Sequence, residues 1–248
     1  MSGFLGSGDL YMDRLDEDGN STGLMDVGNA TKLMISEETE IKERISRGRN
    51  TYGQTLDSAQ IKKPAKIEIT LDELNKTNLS IALLGDESVL NVASGSVSGE
   101  VVVAKLGKWV QLAKGNLINT SVVVQDETDT TTFVKGTDYQ LNLRVGLLQA
   151  LEGGTISDAQ ELHVDYDHEA VTGNKISGST QPTIKARLIL DGKNFADGAD
   201  VILTIDKAVL SPSGGVDFLS DEYTSIELSG SLETLTGQTT PYTVELRQ

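Results

Sequence analysis

Short runs in which apolar and polar residues alternate dominate this chain, and a period of two is typical of half-buried β-strands. Residues 65–69 (Ala-Lys-Ile-Glu-Ile) alternate strictly. Glycine, asparagine and aspartate separate the runs at short spacing, which favours an antiparallel sandwich or barrel. The further predicted strands cover residues 100–104, 108–112, 121–124, 131–134, 139–143, 162–166, 184–190, 201–205 and 225–229.

The first 64 residues are predicted to form a hairpin followed by a long polar loop. Asp18-Gly19 separates the apolar residues 10–12 from a second arm that begins at Leu24-Met25 and ends at 33–35, and such a dipeptide supplies the positive φ of a tight turn. Residues 36–64 contain few apolar side chains and show little periodicity. A polar loop of this length within a compact domain usually serves binding.

One helix is predicted, directly after the strand at 65–69. Thr70 and Glu73 have the spacing of a capping box, in which each side chain satisfies a backbone N–H of the first turn. Apolar residues at helical spacing follow as far as Leu83, and Gly85 is suited to end the helix. Residues 173–180, rich in glycine and serine, are predicted to be a linker.

The charge and composition exclude several classes of protein. The chain has 248 residues and a formal net charge of −16, which repels phosphate and argues against gripping nucleic acid. The same charge has a second explanation, since it would keep a concentrated protein in solution. Cysteine is absent, so no disulfide or thiol chemistry is expected. No long apolar run or signal peptide is evident, so we expect no membrane anchor.

The strongest pattern for chemistry is His163-Val-Asp165-Tyr-Asp167-His168. On a strand His163, Asp165 and Asp167 share one face, and imidazole with carboxylates could hold a divalent ion. A strand that buries the alternate residues at 162, 164 and 166 explains the same pattern without any ligand, and we favour it. We therefore predict no catalytic, cofactor-binding or metal-binding residue and no enzymatic activity.

The polar loop contains the only basic cluster of the chain, and three explanations are open. The cluster could contact nucleic acid, although acidic residues interrupt it, or it could be a solvated surface. In a chain this acidic, we favour contact with acidic surface on a neighbouring copy. The residues assigned to this self-assembly loop are Lys42, Arg44, Arg47, Arg49 and Tyr52.

The order of these elements resembles that of the major tail tube proteins of tailed bacteriophages. The resemblance rests on the hairpin, the polar loop, and the strand and helix that end at Leu83-Leu84-Gly85. The strands at 184–188 and 201–205 and the segments 207–212 and 217–230 continue it. It covers about residues 8–90 and 180–248, and implies that 217–230 holds a short helix before a final strand pair.

The resemblance implies a mainly β fold, a sandwich or tube-type barrel subunit with one flanking helix. Its core would be discontinuous, formed by residues 1–92 and 176–248. Residues 93–175 would be an inserted small β domain, on the outer surface of the assembly. Because such a domain leaves little room for a contractile sheath, a non-contractile tail is favoured.

The implied function is structural and needs no cofactor. Copies of the chain would form hexameric rings that stack into the tail tube of a virion, assembled in the cytoplasm of the host bacterium. DNA would pass through the lumen during ejection without specific binding, and other tail proteins would be further partners. The alternative function is a β-sandwich binding module for carbohydrate or a host surface.

Overall fold

The computed structural model describes residues 3–247 and shows a mainly β chain, as predicted, with 51% of residues in strands and one helix among those described. Several sheets are present in this range and none closes into a barrel. No helix within it is long and apolar enough to cross a membrane. The strands are β1 (Gly6–Arg14), β2 (Met25–Asp26), β3 (Ala30–Ser36), β4 (Thr39–Ile45), β5 (Thr55–Lys62), β6 (Lys66–Leu71), β7 (Asp86–Val92), β8 (Gly95–Val103), β9 (Trp109–Gln111), β10 (Val123–Asp126), β11 (Tyr139–Asn142), β12 (Leu147–Ala150), β13 (Glu161–His168), β14 (Val171–Ser177), β15 (Ile184–Asn194), β16 (Asp200–Pro212), β17 (Ile226–Leu232) and β18 (Tyr242–Arg247); the helix is α1 (Lys76–Ala82).

The chain divides into two units, residues 1–88 with 176–248 and residues 89–175. The boundaries predicted from the sequence fall after residue 92 and after residue 175. The chain leaves the first unit along β7 and returns along β14, and these two strands pair with each other. Part of the predicted linker at 173–180 is therefore strand, because residues up to Ser177 belong to β14.

The first unit is built on one eight-stranded sheet with the order β2-β1-β15-β16-β17-β6-β3 and with β18 also paired to β16. Alternate residues of its long strands are buried, as in β15 and β16, and form one apolar face. Helix α1 contributes Ile81 to the core on this face. The other buried members of this core are Leu10, Met12, Val27, Ala65, Ile67, Ile69, Leu71, Ile184, Ala186, Leu188, Leu203, Ile205, Ala208, Leu210, Ile226, Leu228 and Leu232.

The second unit contains two three-stranded sheets, β10-β13-β8 and β11-β12-β9. Both contribute to a separate core, for example through Leu162 of β13 and Leu148 of β12. Asp138 is buried beside this core and accepts hydrogen bonds from the backbone N–H groups of Val134 and Thr155, at 2.7 and 2.8 Å. These bonds lower the pKa of Asp138, since they favour its ionised form.

The predicted helix start at Thr70 is wrong, because tertiary pairing extends β6 through Leu71. Leu71 pairs with Ala30 and Ile226 on the two neighbouring strands and is fully buried. The helix begins only after Asn75, whose side chain accepts a hydrogen bond from Asn78 N at 2.8 Å. A capping interaction therefore exists, five residues later than the sequence indicates.

Three other local predictions are corrected by the structure. The first hairpin is reduced to two paired residues of β2, since β1 pairs mainly with β15 and β3 pairs with β6. Residues 213–225 form a loop without the helix that the resemblance implies. The polar segment 36–64 is largely a β-hairpin, formed by β4 and β5.

Close strand packing at Gly230 of β17 should make this position intolerant of a side chain. A Cβ atom there would lie 2.0 Å from the carbonyl oxygen of Val209 on the neighbouring strand. We expect Gly230→Ala to lower the free energy of unfolding by about 1–3 kcal/mol, measured by urea denaturation. Gly215→Ala, where a Cβ would meet nothing within 4 Å, is the control and should be neutral.

Because each unit has its own core, the first should fold without the second. We expect a chain in which a short Gly-Ser linker replaces residues 89–175 to remain folded and to unfold cooperatively, measured by circular dichroism and thermal melting. An unfolded or aggregated product would mean that the insertion completes the core of the first unit.

Candidate functional site: an exposed β-hairpin

The hairpin of β4 and β5 pairs with no other strand of the described chain. Its strands are antiparallel, from Thr39 opposite Lys62 to Arg44 opposite Asp57. Every residue of both strands is exposed, so neither face packs against the sheet that the hairpin leaves. An isolated two-stranded hairpin is only marginally stable in water, and an exposed one therefore gains stability from a partner.

One face of the hairpin carries a cluster of apolar side chains. Ile41 and Ile45 are four residues apart on β4 and so project from the same side. The register shifts between Arg44 and Ile45, which makes Leu56 the extra residue of a β-bulge beside Ile45. These three side chains are each more than half exposed. Aliphatic residues grouped in this way favour contact with another protein surface.

The tip of the hairpin is held in a defined turn by Ser46, its one buried residue. The Ser46 hydroxyl lies 2.7 Å from the hydroxyl of Thr51 and accepts a hydrogen bond from Gly48 N at 3.2 Å. The backbone of Ser46 also bonds to Gln54 and Gly53, at 2.8 and 3.0 Å. Gly53 has φ +83°, a conformation that favours glycine. These contacts present the tip side chains outward.

The structure places the five predicted residues on this one element. Lys42 and Arg44 lie on β4, while Arg47, Arg49 and Tyr52 lie on the tip, where Tyr52 is 76% exposed. Lys42 Nζ lies 4.0 Å from Glu40 Oε1. None of the three arginines forms an ion pair with a residue in the range 3–247.

The apolar residues of the hairpin were missed by the sequence prediction. Ile41, Ile45 and Leu56 stand among polar neighbours on both faces, so no burial period reveals a strand. The signal available in retrospect is the pair of turn glycines, Gly48 and Gly53, between two polar segments of similar length. The exposed aliphatic and basic side chains of the hairpin make it suited to protein contact.

The predicted metal candidates are bonded to separate partners. His163 Nδ1 lies 2.7 Å from an Asp129 carboxylate oxygen, and this hydrogen bond raises the pKa of His163. Asp165 accepts hydrogen bonds at 2.7 Å from Ser98 Oγ and Gly99 N, which lower its pKa. Within residues 3–247 no group of three histidine, aspartate or glutamate side chains is arranged to hold a metal ion.

The bond between His163 and Asp129 predicts a change in titration. The carboxylate stabilises the charged imidazole, so we expect Asp129→Asn to lower the pKa of His163, measured by NMR of the ring protons. Glu127→Gln, an exposed acid of the same turn, is the control and should leave it unchanged. Folding raises the pKa of His163, so the hydrogen bond to Asp129 contributes its full stability below the pKa of His163 in the unfolded chain. This contribution is lost as the pH rises through the pKa of His163 in the folded chain.

The comparison with known families covers both units of the chain. A family model described as "Protein of unknown function UCP028589" matches residues 3–241, a range that includes the β4–β5 hairpin. No curated protein is significantly similar to the chain in sequence. The chain belongs to the family described as protein of unknown function UCP028589.

Proposed function

We propose that this chain is a structural subunit that assembles with copies of itself into the tail tube of a bacteriophage. The observation that carries the proposal is the β4–β5 hairpin, which is exposed on both faces. It combines an apolar cluster with three arginines that form no ion pair among the described residues. A hairpin of this kind gains stability when its apolar residues are covered by a neighbouring subunit.

The open edges of the eight-stranded sheet also support self-assembly. Strands β3 and β18 each pair on one side only within the described chain. Unpaired edges invite further strands, and closure into a barrel removes them. A ring of subunits in which each sheet continues into the next would close the inner wall of a tube.

The apolar face of the sheet extends to the edge strand β18. Leu246 pairs with Val201 and Val244 pairs with Leu203, so these partners share the face on which Val201 and Leu203 are buried. Yet Val244 and Leu246 are 53% and 50% exposed. A neighbouring subunit placed on this edge would cover them, which makes β18 a suitable side-to-side contact.

The hexameric symmetry and the role as a conduit for DNA ejection rest on the resemblance in the order of elements. The net charge of −16 suits a conduit, since DNA would not adhere to a surface of its own sign. Under this proposal the unit at 89–175 lies on the outside of the tube. The subunit is a virion component and has no catalytic role.

The proposal predicts assembly that depends on the hairpin. We expect concentrated protein to form rings or tubes with sixfold symmetry in negative-stain electron micrographs. A chain lacking residues 44–56 should keep its fold, because this segment is exposed apart from Ser46, and should form no stacked tubes.

Circular dichroism and thermal melting provide the control for folding of the shortened chain. Tubes that persist without residues 44–56 would contradict the role of the hairpin. Wild-type protein that stays monomeric at every concentration, also in the presence of a tail initiator complex, would contradict the proposed function itself.

A further inference from the structure

The loop at residues 213–225, between β16 and β17, exposes three large apolar side chains to solvent. Phe218, Leu219 and Tyr223 are 69%, 95% and 102% exposed. Apolar patches of this kind on a protein surface commonly mark a site of protein contact. The loop also contains three acidic residues, Asp217, Asp221 and Glu222, and no basic residue.

The exposed side chains of this loop stand on an ordered backbone. The Asp217 carboxylate accepts a hydrogen bond from Leu219 N at 2.8 Å, and Asp217 O accepts one from Thr224 Oγ1 at 3.2 Å. Ser220 Oγ bonds to both the N–H and the carbonyl of Glu222, at 3.0 and 2.9 Å. The loop therefore presents its apolar and acidic groups in a defined arrangement, which lowers the entropy cost of binding.

The tip of the β4–β5 hairpin is complementary to this loop in charge and in character. Residues 44–54 contain three arginines and no acidic residue, whereas residues 213–225 contain three acids and no base. The same segment, residues 44–54, adds exposed Ile45 and Tyr52 to its arginines. Opposite charges and apolar groups on both surfaces would fix the register of a contact and bury apolar area.

The strand register places the two surfaces at opposite ends of the same part of the sheet. Strand β6 begins at Lys66, just after the hairpin, where it pairs with Ser231 of β17. At its other end Leu71 pairs with Ile226, the residue that follows the 213–225 loop. Five residue-to-residue steps of about 3.3 Å separate Lys66 from Leu71, so the two ends lie about 17 Å apart.

We propose that the 213–225 loop is the surface that receives the β4–β5 hairpin of a second copy of this chain. This inference rests on the proposed function and assigns the partner of the hairpin. Because the two surfaces differ and lie at opposite ends of the strands, the contact is heterologous and repeats head to tail. Each subunit donates its hairpin at one end and receives a hairpin at the other, which stacks layers of subunits along the strand direction.

Disulfide cross-linking tests this contact directly, since the natural chain contains no cysteine. A chain with Tyr52→Cys and Leu219→Cys should, after assembly and mild oxidation, give a ladder of covalent oligomers in non-reducing gels. A bridge within one chain is not possible, because a disulfide needs Cα atoms within about 7 Å. The matched control combines Tyr52→Cys with Asp18→Cys, a site on another exposed turn, and should give no ladder above background.

Charge reversal provides a second, independent test. Arg47→Glu with Arg49→Glu, and separately Asp221→Lys with Glu222→Lys, should each raise the concentration required for assembly by about tenfold or more. An equimolar mixture of the two variants should assemble again, because each hairpin then meets a loop of opposite charge. Reversal of two other exposed acids, Glu17→Lys with Asp18→Lys, is the control and should have little effect.

The outcomes separate this inference from the proposed function. If wild-type protein forms tubes, but the Tyr52 and Leu219 cysteines do not cross-link and loop charge reversal leaves assembly unchanged, the assigned surface is wrong and the tube proposal stands. Wild-type protein that never assembles overturns the proposed function, and this inference with it. Cross-linking together with rescue in the mixture supports both.

Discussion

Strand β16 hydrogen-bonds to β15 along one side and to two different strands along the other. Residues 200–205 pair with β18 and residues 208–212 pair with β17. The register with β15 shifts between Ala186 and Leu188, which lets the long strand bend between its two halves while both keep the apolar face inward. The rest of the first unit depends on this arrangement, since β6 pairs with β17 and β3 pairs with β6.

The same arrangement determines where the chain is free to interact. Because β17 and β6 pair antiparallel, the connection into β17 and the connection into β6 emerge at opposite ends. One is the acidic, aromatic loop at 213–225 and the other is the β4–β5 hairpin. These two unlike surfaces, one acidic and one basic, are the basis of the head-to-tail contact that we propose.

The second unit adds its own core without contributing to that of the first. Two ionisable side chains of its strand β13 are hydrogen-bonded within the unit, His163 to Asp129 and Asp165 to Ser98. Such bonds explain why a strand with the alternating pattern of β13 need not be a ligand site, since pairing with turns and neighbouring strands already satisfies its polar face.

The sequence by itself determined the mainly β character and most strand positions, because alternation reflects burial on one face of a sheet. Residues 184–190 and 201–205 show this most clearly, and both lie within long strands of the core. It also identified the basic residues of the hairpin.

The sequence did not predict the structure where burial has no period or where strand pairing overrides local propensity. The fully exposed hairpin has no buried face to mark its strands, and Leu71 has a helical pattern but is held in β6 by strands on both sides. Only the tertiary structure decided which strands are neighbours. It therefore also decided that the 213–225 loop and the hairpin emerge at opposite ends of the paired strands β6 and β17.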